Sequence, residues 1–138
     1  MLTITAEIVQ PVVDALAPDL PYPINVMDET GRIVASTDPT RVGQLHPGAR
    51  VALGSREPVI VETDGPDQRR GANLPIIGED GPIGVVGITG PPLDVVPMAR
   101  LVLRTVTMAL EQRARQRELS ERQVRRESLV ARLTTHQD

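Results

Sequence analysis

The sequence predicts an α+β domain made of one antiparallel sheet with helices packed on one face. Short apolar runs flank two hairpin-length turns, at 29–32 and 78–81, and this arrangement is typical of antiparallel strand pairs. Amphipathic segments at 3–17 and from about 93 to 134 predict one helix before the strands and one after them. A chain of 138 residues is long enough for one domain with its own apolar core.

The first predicted helix covers residues 3–17. Four apolar side chains recur along it every four residues and share one face: Ile4, Ile8, Val12 and Leu16. Pro11 lies inside this segment and is expected to bend or split the helix, because proline removes a backbone donor and crowds the preceding turn.

Five strands are predicted after this helix. Alternation of apolar and polar residues marks the first at 24–28, and a turn containing Gly31 leads into the second at 33–37. The other three are predicted at 58–63, 72–77 and 82–89. Pro75 predicts that the fourth strand is irregular or lies at an edge, since proline cannot donate to a neighbouring strand.

Two helix-start signals stand in tandem between the second and third strands. Asp38-Pro39 pairs an N-cap residue with proline at the first helical position, and His46-Pro47 repeats the proline start eight residues later. The first turn of a helix carries N–H groups that have no acceptor within the helix, and such groups favour anions. Arg41 lies between the two starts, and its guanidinium can bind a carboxylate through two hydrogen bonds. The segment therefore predicts a site for a small carboxylate.

Each candidate residue also has a purely structural interpretation. Arg41 could form a surface ion pair with Asp38 or Glu57. His46 could serve only as the cap of the second short helix. Asn73 could satisfy loop backbone rather than bind a ligand hydroxyl.

The composition excludes several classes of function. Cysteine and lysine are absent and Tyr22 is the only aromatic residue, which excludes disulfides, thiolate chemistry, lysine Schiff bases and base-stacking platforms. His46 and His136 are far apart in sequence, and no metal site or cofactor is expected. Ser36 lacks the glycine-flanked setting of a hydrolase nucleophile, so an enzyme that uses His46 as a base is the least favoured interpretation. No apolar run is long enough to span a membrane and the N-terminus lacks a signal-peptide pattern, so a cytoplasmic protein is expected.

Charge is distributed unevenly along the chain. Residues 1–98 carry thirteen acidic side chains and six arginines, whereas residues 99–138 carry five and nine. This mixture of arginine, glutamate and glutamine is typical of a solvated helix face rather than of a segment that binds nucleic acid. A helix of ~40 residues extends ~60 Å, so its second half must leave a domain of this size. The chain is therefore divided into a sensor domain at 1–110 and a helical linker at 111–138.

Several segments in register resemble the sugar diacid recognition domain that begins the carbohydrate diacid regulators of bacteria. These segments lie at 24–28, 31–38, 41–43, 46–49, 71–76 and 83–90, and the resemblance extends over about residues 3–135. The chain departs from the family at Pro47, where an acidic residue is more common, and in a polar loop at 64–70. The resemblance implies a PAS-like or Cache-like sensory domain with a five-stranded antiparallel sheet, an N-terminal helix and a long C-terminal helix.

The resemblance also implies a cytoplasmic transcription activator that senses glycerate, glucarate, galactarate or a similar hydroxy acid. The expected ligand-binding residues combine a guanidinium, backbone amides near the helix starts, and side chains that contact hydroxyls or a second carboxylate. They are Arg41; Gly43, Gly48 and Ala49; and Ser36, His46 and Asn73. Binding is expected to tighten the segment at 36–50 against the sheet and so to bias the last helix.

The expected partners are a small organic acid and a second copy of the chain. The terminal helices are expected to form a homodimer, and a dimerisation module without any ligand is the alternative function. The segment itself is not expected to contact DNA, because the helix-turn-helix domain of such regulators is absent from residues 1–138.

Overall fold

The structure is a computed structural model that describes residues 2–135. Its elements follow the predicted order, with these bounds: α1 at Ala6–Leu16, β1 at Ile24–Asp28, β2 at Ile33–Ser36, α2 at Pro47–Ser55, β3 at Val59–Val61, β4 at Gly71–Gly78, β5 at Gly81–Thr89 and α3 at Pro92–Thr135. One-turn 3-10 helices lie at Ala17–Asp19 and Pro39–Arg41. The end of the predicted linker, 136–138, and with it His136, lies outside the described residues.

The five strands form one sheet in the order β2-β1-β5-β4-β3, and neighbouring strands are antiparallel. This confirms the predicted five-stranded antiparallel sheet. Pro75 lies in β4 past the end of β3, which pairs only as far as Asn73. At Pro75 the strand is therefore locally an edge, where a missing N–H is tolerated.

Helices lie on both faces of the sheet, which corrects the prediction that they pack on one face. On the α1/α3 face, α1 and α3 cover Val86 and Ile88 of β5, whereas on the α2 face the shorter helix covers Val85. In β1 the consecutive residues at 24–27 are all buried, because side chains are covered on both faces. A strand buried on both sides does not show which face a helix covers, and this is why the sequence pattern was misleading.

The main apolar core lies on the α1/α3 face. Val9 and Val13 of α1 are fully buried there. Five buried residues of α3, spaced by three or four positions, pack against the same core: Val95, Ala99, Val102, Val106 and Leu110. Pro11 does not split α1, which continues through it with the proline exposed.

A smaller cluster on the α2 face joins Ala49 and Ala52 to the sheet. The pairing of β1 with β2 skips one residue, since Val26 lies opposite Ala35 whereas Met27 lies opposite Ile33. This bulge lets Ile33 pack beneath α2 while Ala35 joins the opposite core.

The last helix extends well past the sheet. α3 has 44 residues, which corresponds to about 66 Å. Its buried positions end at Leu110, and residues 115–132 are all exposed. In the part of the chain that the structure describes, no helix is long and apolar enough to cross a membrane. The division of the chain at residue 110 stays a prediction.

Candidate functional site

A cleft of about 650 Å³ opens on the α2 face of the sheet. The first turn of α2, the start of β4 and the end of β5 form its wall, and the loop from β3 to β4 forms an exposed rim. Arg41, His46, Gly48 and Asn73 lie together in the wall. The fold thus brings together predicted site residues that precede β3 in the sequence and one that follows it.

A one-turn helix that begins after Asp38 places Arg41. The Asp38 carboxylate accepts hydrogen bonds from Thr40 N at 3.0 Å and Thr40 Oγ1 at 2.7 Å, which confirms the predicted N-cap. These bonds lower the pKa of Asp38. Among the described residues Arg41 makes no ion pair with Asp38 or Glu57, although its positive charge is near enough to contribute to the lowered pKa of Asp38.

The half-buried side chain of Arg41 meets a neutral amide instead of a carboxylate. Asn25 of β1 is oriented so that Oδ1 accepts from Arg41 Nη1 at 3.1 Å, while Nδ2 donates to Ser36 Oγ at 2.6 Å and to Ile24 O at 3.3 Å. Asn25 is 1% exposed. A neutral partner fixes the guanidinium without cancelling its charge, so Arg41 stays available to an anion.

His46 is the N-cap of α2. Its Nδ1 accepts from Ala49 N at 3.1 Å, which confirms the capping role considered for it. Burial lowers the pKa of His46, and the positive charge of Arg41 lowers it further. The imidazole is therefore neutral at pH 7. Because Nδ1 accepts, the proton resides on Nε2, which becomes a hydrogen-bond donor.

Asn73 is a second buried asparagine, and unlike Asn25 it lines the cleft. Its side chain is 7% exposed and has no hydrogen-bond partner in the described part of the chain. Two glycines enclose it: a Cβ at Gly48 would lie 2.7 Å from Asn73 Nδ2, and a Cβ at Gly87 would lie 2.7 Å from Asn73 Oδ1. No fully buried side-chain nitrogen or oxygen of the described residues lacks a partner, so the amide of Asn73 reaches the cleft, where its donor and acceptor are open to a ligand.

The rim of the cleft is the polar loop at 62–70. Gly65 N donates to Gln68 O at 2.8 Å and closes a tight turn. Asp64 Oδ1 accepts from Arg70 N at 2.8 Å, which holds the base of the loop. Arg69 also lines the cleft, so the loop brings a second guanidinium to its rim.

The structure does not place three of the predicted ligand-binding residues in the cleft wall. Ser36 is buried behind Asn25, and its hydroxyl accepts from Asp38 N at 3.0 Å. Gly43 is exposed, and its N–H donates to Ile33 O at 2.8 Å. Ala49 N–H is engaged by His46. Internal bonds occupy these groups, so we remove Ser36, Gly43 and Ala49 from the candidate site.

Sequence reasoning missed Gly87, Asn25 and the rim loop as parts of the site. A signal existed for Gly87, because a glycine in a strand indicates the close approach of another group. Asn25 looked like an outward polar position of an alternating strand, and its buried contact with Arg41 depends on tertiary packing. The described residues contain no group of three or more histidine, aspartate or glutamate side chains that could hold a metal ion.

Comparison with known sequences gives a family match over most of the chain. The family described as "Putative sugar diacid recognition" matches residues 4–133. The chain is 38% identical over 114 residues to the carbohydrate diacid regulator of Escherichia coli strain K12, a match that covers 80% of this chain and 30% of that protein. An uncharacterized protein of Haemophilus influenzae is 42% identical over 100 residues, covering 67% of this chain and 27% of that protein. The chain thus spans about a third of the length of these relatives.

A solved structure supports the fold and corrects its class. The GAF domain from the Acinetobacter phosphoenolpyruvate-protein phosphotransferase has a TM-score of 0.50 to this chain, with 18% sequence identity. The alignment covers 80% of this chain and 84% of that one. The α+β architecture is therefore GAF-like, a fold related to the PAS-like or Cache-like class expected from the sequence but different from it.

Proposed function

Because this chain belongs to the family of sugar diacid recognition domains, we propose that its cleft binds a small hydroxy-carboxylate, such as glycerate or a sugar diacid. One observation carries the proposal. A guanidinium that forms no ion pair among the described residues lies in the same cleft wall as Asn73, whose side-chain amide makes no hydrogen bond there and is open to the cleft. An organic anion with a hydroxyl satisfies both groups at once.

The cleft wall offers donors of graded strength to such a ligand. Arg41 supplies the charged donors for a carboxylate, and a hydrogen bond to a charged group contributes about 1.5–3 kcal/mol. His46 Nε2–H is a neutral donor beside it. Gly48 occupies the second position of α2, where the helix provides no acceptor for its N–H. Asn73 can donate to one hydroxyl and accept from another, which favours a hydroxy acid over a simple carboxylate.

The same geometry argues against catalysis by His46. A general base needs a free lone pair, and the Nδ1 lone pair of His46 accepts the N–H of Ala49. Protonating Nδ1 would break the cap of α2. We therefore assign His46 to ligand binding and propose a sensor rather than an enzyme.

The signal leaves the domain through α3. We propose that residues 1–110 are the sensor domain and that 111–138 form a helical linker. The E. coli relative is a regulator, and by analogy this domain belongs to a cytoplasmic transcription regulator. A ligand shifts such a protein only through its different affinities for two conformations.

The test is calorimetric titration with glycerate, glucarate, galactarate and glycolate. Arg41→Ala is expected to weaken binding of the preferred acid at least tenfold, because it removes the charged donors. Arg100→Ala is the matched control, since it removes one exposed positive charge from α3 outside the cleft. Equal affinity in both variants, or no binding of any acid to the unchanged chain, would overturn the proposal.

A second function is favoured by exposed apolar side chains on α3. Leu101, Met108, Leu119, Val124 and Leu129 are each more than half exposed. We propose that a second copy of the chain covers part of this surface, so that the domain acts as a homodimer. Light scattering with a thermal-shift screen separates the two functions: a stable dimer that no acid stabilises favours a dimerisation module, and a monomer at all concentrations contradicts the dimer.

A further inference from the structure

A line of hydrogen-bonded groups leads from the cleft to α1 on the opposite face of the sheet. Arg41 Nη1 donates to Asn25 Oδ1 at 3.1 Å, and Asn25 Nδ2 donates to Ser36 Oγ at 2.6 Å. The backbone of Ser36 is in turn bound by Gln10 of α1, with Gln10 Nε2 donating to Ser36 O and Ser36 N donating to Gln10 Oε1, both at 3.0 Å. We call these four residues the polar link.

Gln10 contacts the side of Ser36 on which another strand could have paired with β2. Ser36 belongs to β2, which is an edge strand of the sheet. Backbone groups on the outer side of an edge strand have no neighbouring strand to bind. The carboxamide of Gln10 supplies one donor and one acceptor to them, as a further strand would, and so fixes α1 to the end of β2.

The orientation of the Asn25 amide depends on where Arg41 lies. With Oδ1 towards Arg41, the guanidinium is held at 3.1 Å. In the reversed orientation, Ser36 Oγ donates to Asn25 Oδ1 at 2.6 Å, and Nδ2 then faces the guanidinium, donor against donor. The reversed amide is therefore compatible only with an Arg41 side chain that has moved away from Asn25. The orientation of the amide and the position of Arg41 are therefore linked through the contacts of one buried side chain.

We propose that the polar link couples the position of the Arg41 guanidinium in the cleft to the seating of α1 on the sheet. This inference rests on the proposed function for the event that moves Arg41, namely the binding of an acid. Asn25 and Ser36 are almost fully buried, so neither can replace a lost partner with water. When Arg41 turns towards a ligand, Asn25 Oδ1 loses this donor, and the hydrogen bond between Asn25 and Ser36 must adjust.

The packing of α1 carries the change to α3. Val9 and Val13 of α1 lie in the core shared with α3, and Glu7 forms an ion pair with Arg113 at 3.0 Å. Gln10, Val9 and Val13 lie within one turn of α1. A shift of α1 at Gln10 therefore moves the surface on which the first half of α3 rests.

The first experiment needs no ligand. Urea unfolding is measured for Gln10→Met, for Arg41→Met and for the double variant. The polar link predicts that the double variant loses less stability than the sum of the two single losses, because each change breaks the same chain of bonds. Asp14→Ala is the matched control: it removes the other acceptor of Gln10 Nε2, at 2.8 Å, and keeps the contact with Ser36. Its effect is expected to add to that of Arg41→Met. Additive effects of Gln10→Met and Arg41→Met would overturn the link.

The second experiment measures hydrogen exchange with and without the acid that binds best among glycerate, glucarate, galactarate and glycolate. In the unchanged chain, the acid is expected to alter exchange both near the cleft and in α1. In Gln10→Met, we expect affinity within threefold, an unchanged response at 71–74, and no response in α1. Gln10→Glu keeps the acceptor for Ser36 N but loses the donor, and serves if the methionine variant does not fold. Persistence of the α1 response in the tested variant would overturn the proposal. If no acid binds the unchanged chain, the proposed function fails, and the unfolding cycle alone decides the link.

Discussion

The two faces of the sheet differ in what their buried side chains do. On the α1/α3 face, the core is aliphatic and closely packed, with α1 and α3 supplying most of its buried residues. On the α2 face, the apolar cluster is small, Asn73 lines an open cleft, and Arg41 connects that cleft to the buried polar residues Asn25 and Ser36. Packing density stabilises a fold, whereas unsatisfied polar groups provide binding at some expense of stability. The comparison indicates that, outside the polar link, substitutions on the α1/α3 face change mainly stability and substitutions in the cleft change mainly ligand binding.

The largest expected effect comes from the α1/α3 face. Leu110→Ala removes a side chain that is 2% exposed, and a cavity of this kind lowers the free energy of unfolding by about 2–5 kcal/mol. Leu119→Ala, on the same helix but 63% exposed, is expected to change it by less than about 0.5 kcal/mol. Urea unfolding measures both. A similar loss in the two variants would mean that α3 is covered past residue 110, by a second chain for example.

The next largest effect on stability is expected at Asn25 and not at Asn73, the other buried asparagine of the α2 face. Asn25→Ala removes the buried partner of Arg41 and one of the hydrogen bonds to each of Ser36 Oγ and Ile24 O, and it is expected to reduce stability by about 1–3 kcal/mol. Asn73→Ala removes no hydrogen bond seen in the described chain, so stability should change by less than about 1 kcal/mol. Acid affinity should still fall about tenfold in Asn73→Ala, which corresponds to ~1.4 kcal/mol. If Asn73→Ala were as unstable as Asn25→Ala, Asn73 would be structural and not a ligand contact.

These asparagines also show how far a sequence determines the site. The element order, the Asp38 cap and the placement of Arg41 beside His46 follow from local signals, namely prolines after capping residues. The burial of Asn25 does not, because it depends on β2 and on Arg41, which reach it only in the folded chain. The engaged amide of Ala49 was missed for a related reason: the sequence allowed His46 either to cap α2 or to bind a ligand, and the cap uses that amide. The rim loop approaches Gly48 only through the pairing of β3 with β4.

Substitutions at two glycines of α2 test whether the ligand occupies the space beside the first turn of this helix. Gly48→Ala would place a methyl group 2.7 Å from Asn73 Nδ2 and 3.2 Å from His46 Cε1, so we expect an affinity loss of about tenfold, or ~1.4 kcal/mol. Gly54→Ala meets nothing within 4 Å and should stabilise the helix by up to about 0.5–1 kcal/mol without changing affinity. Calorimetry and thermal unfolding measure the pair. Unchanged affinity in Gly48→Ala would place the ligand elsewhere.

The smallest effect is expected from pH, and it arises from His46 at the boundary between helix and cleft. The pKa of His46 is lowered in the folded chain by burial, then by Arg41, so the unfolded chain binds the proton more readily. The contribution of the neutral imidazole is therefore complete above the unfolded pKa of about 6.5 and is lost as pH falls below it. His46→Asn keeps a good N-cap but cannot titrate. The urea midpoint should fall more between pH 7.5 and pH 5.5 in the unchanged chain than in His46→Asn, since protonation of Nδ1 removes the side-chain acceptor and leaves Ala49 N–H only the His46 carbonyl, at 3.1 Å. An equal fall in both chains would show that His46 stays capped on protonation and that other groups determine the acid response.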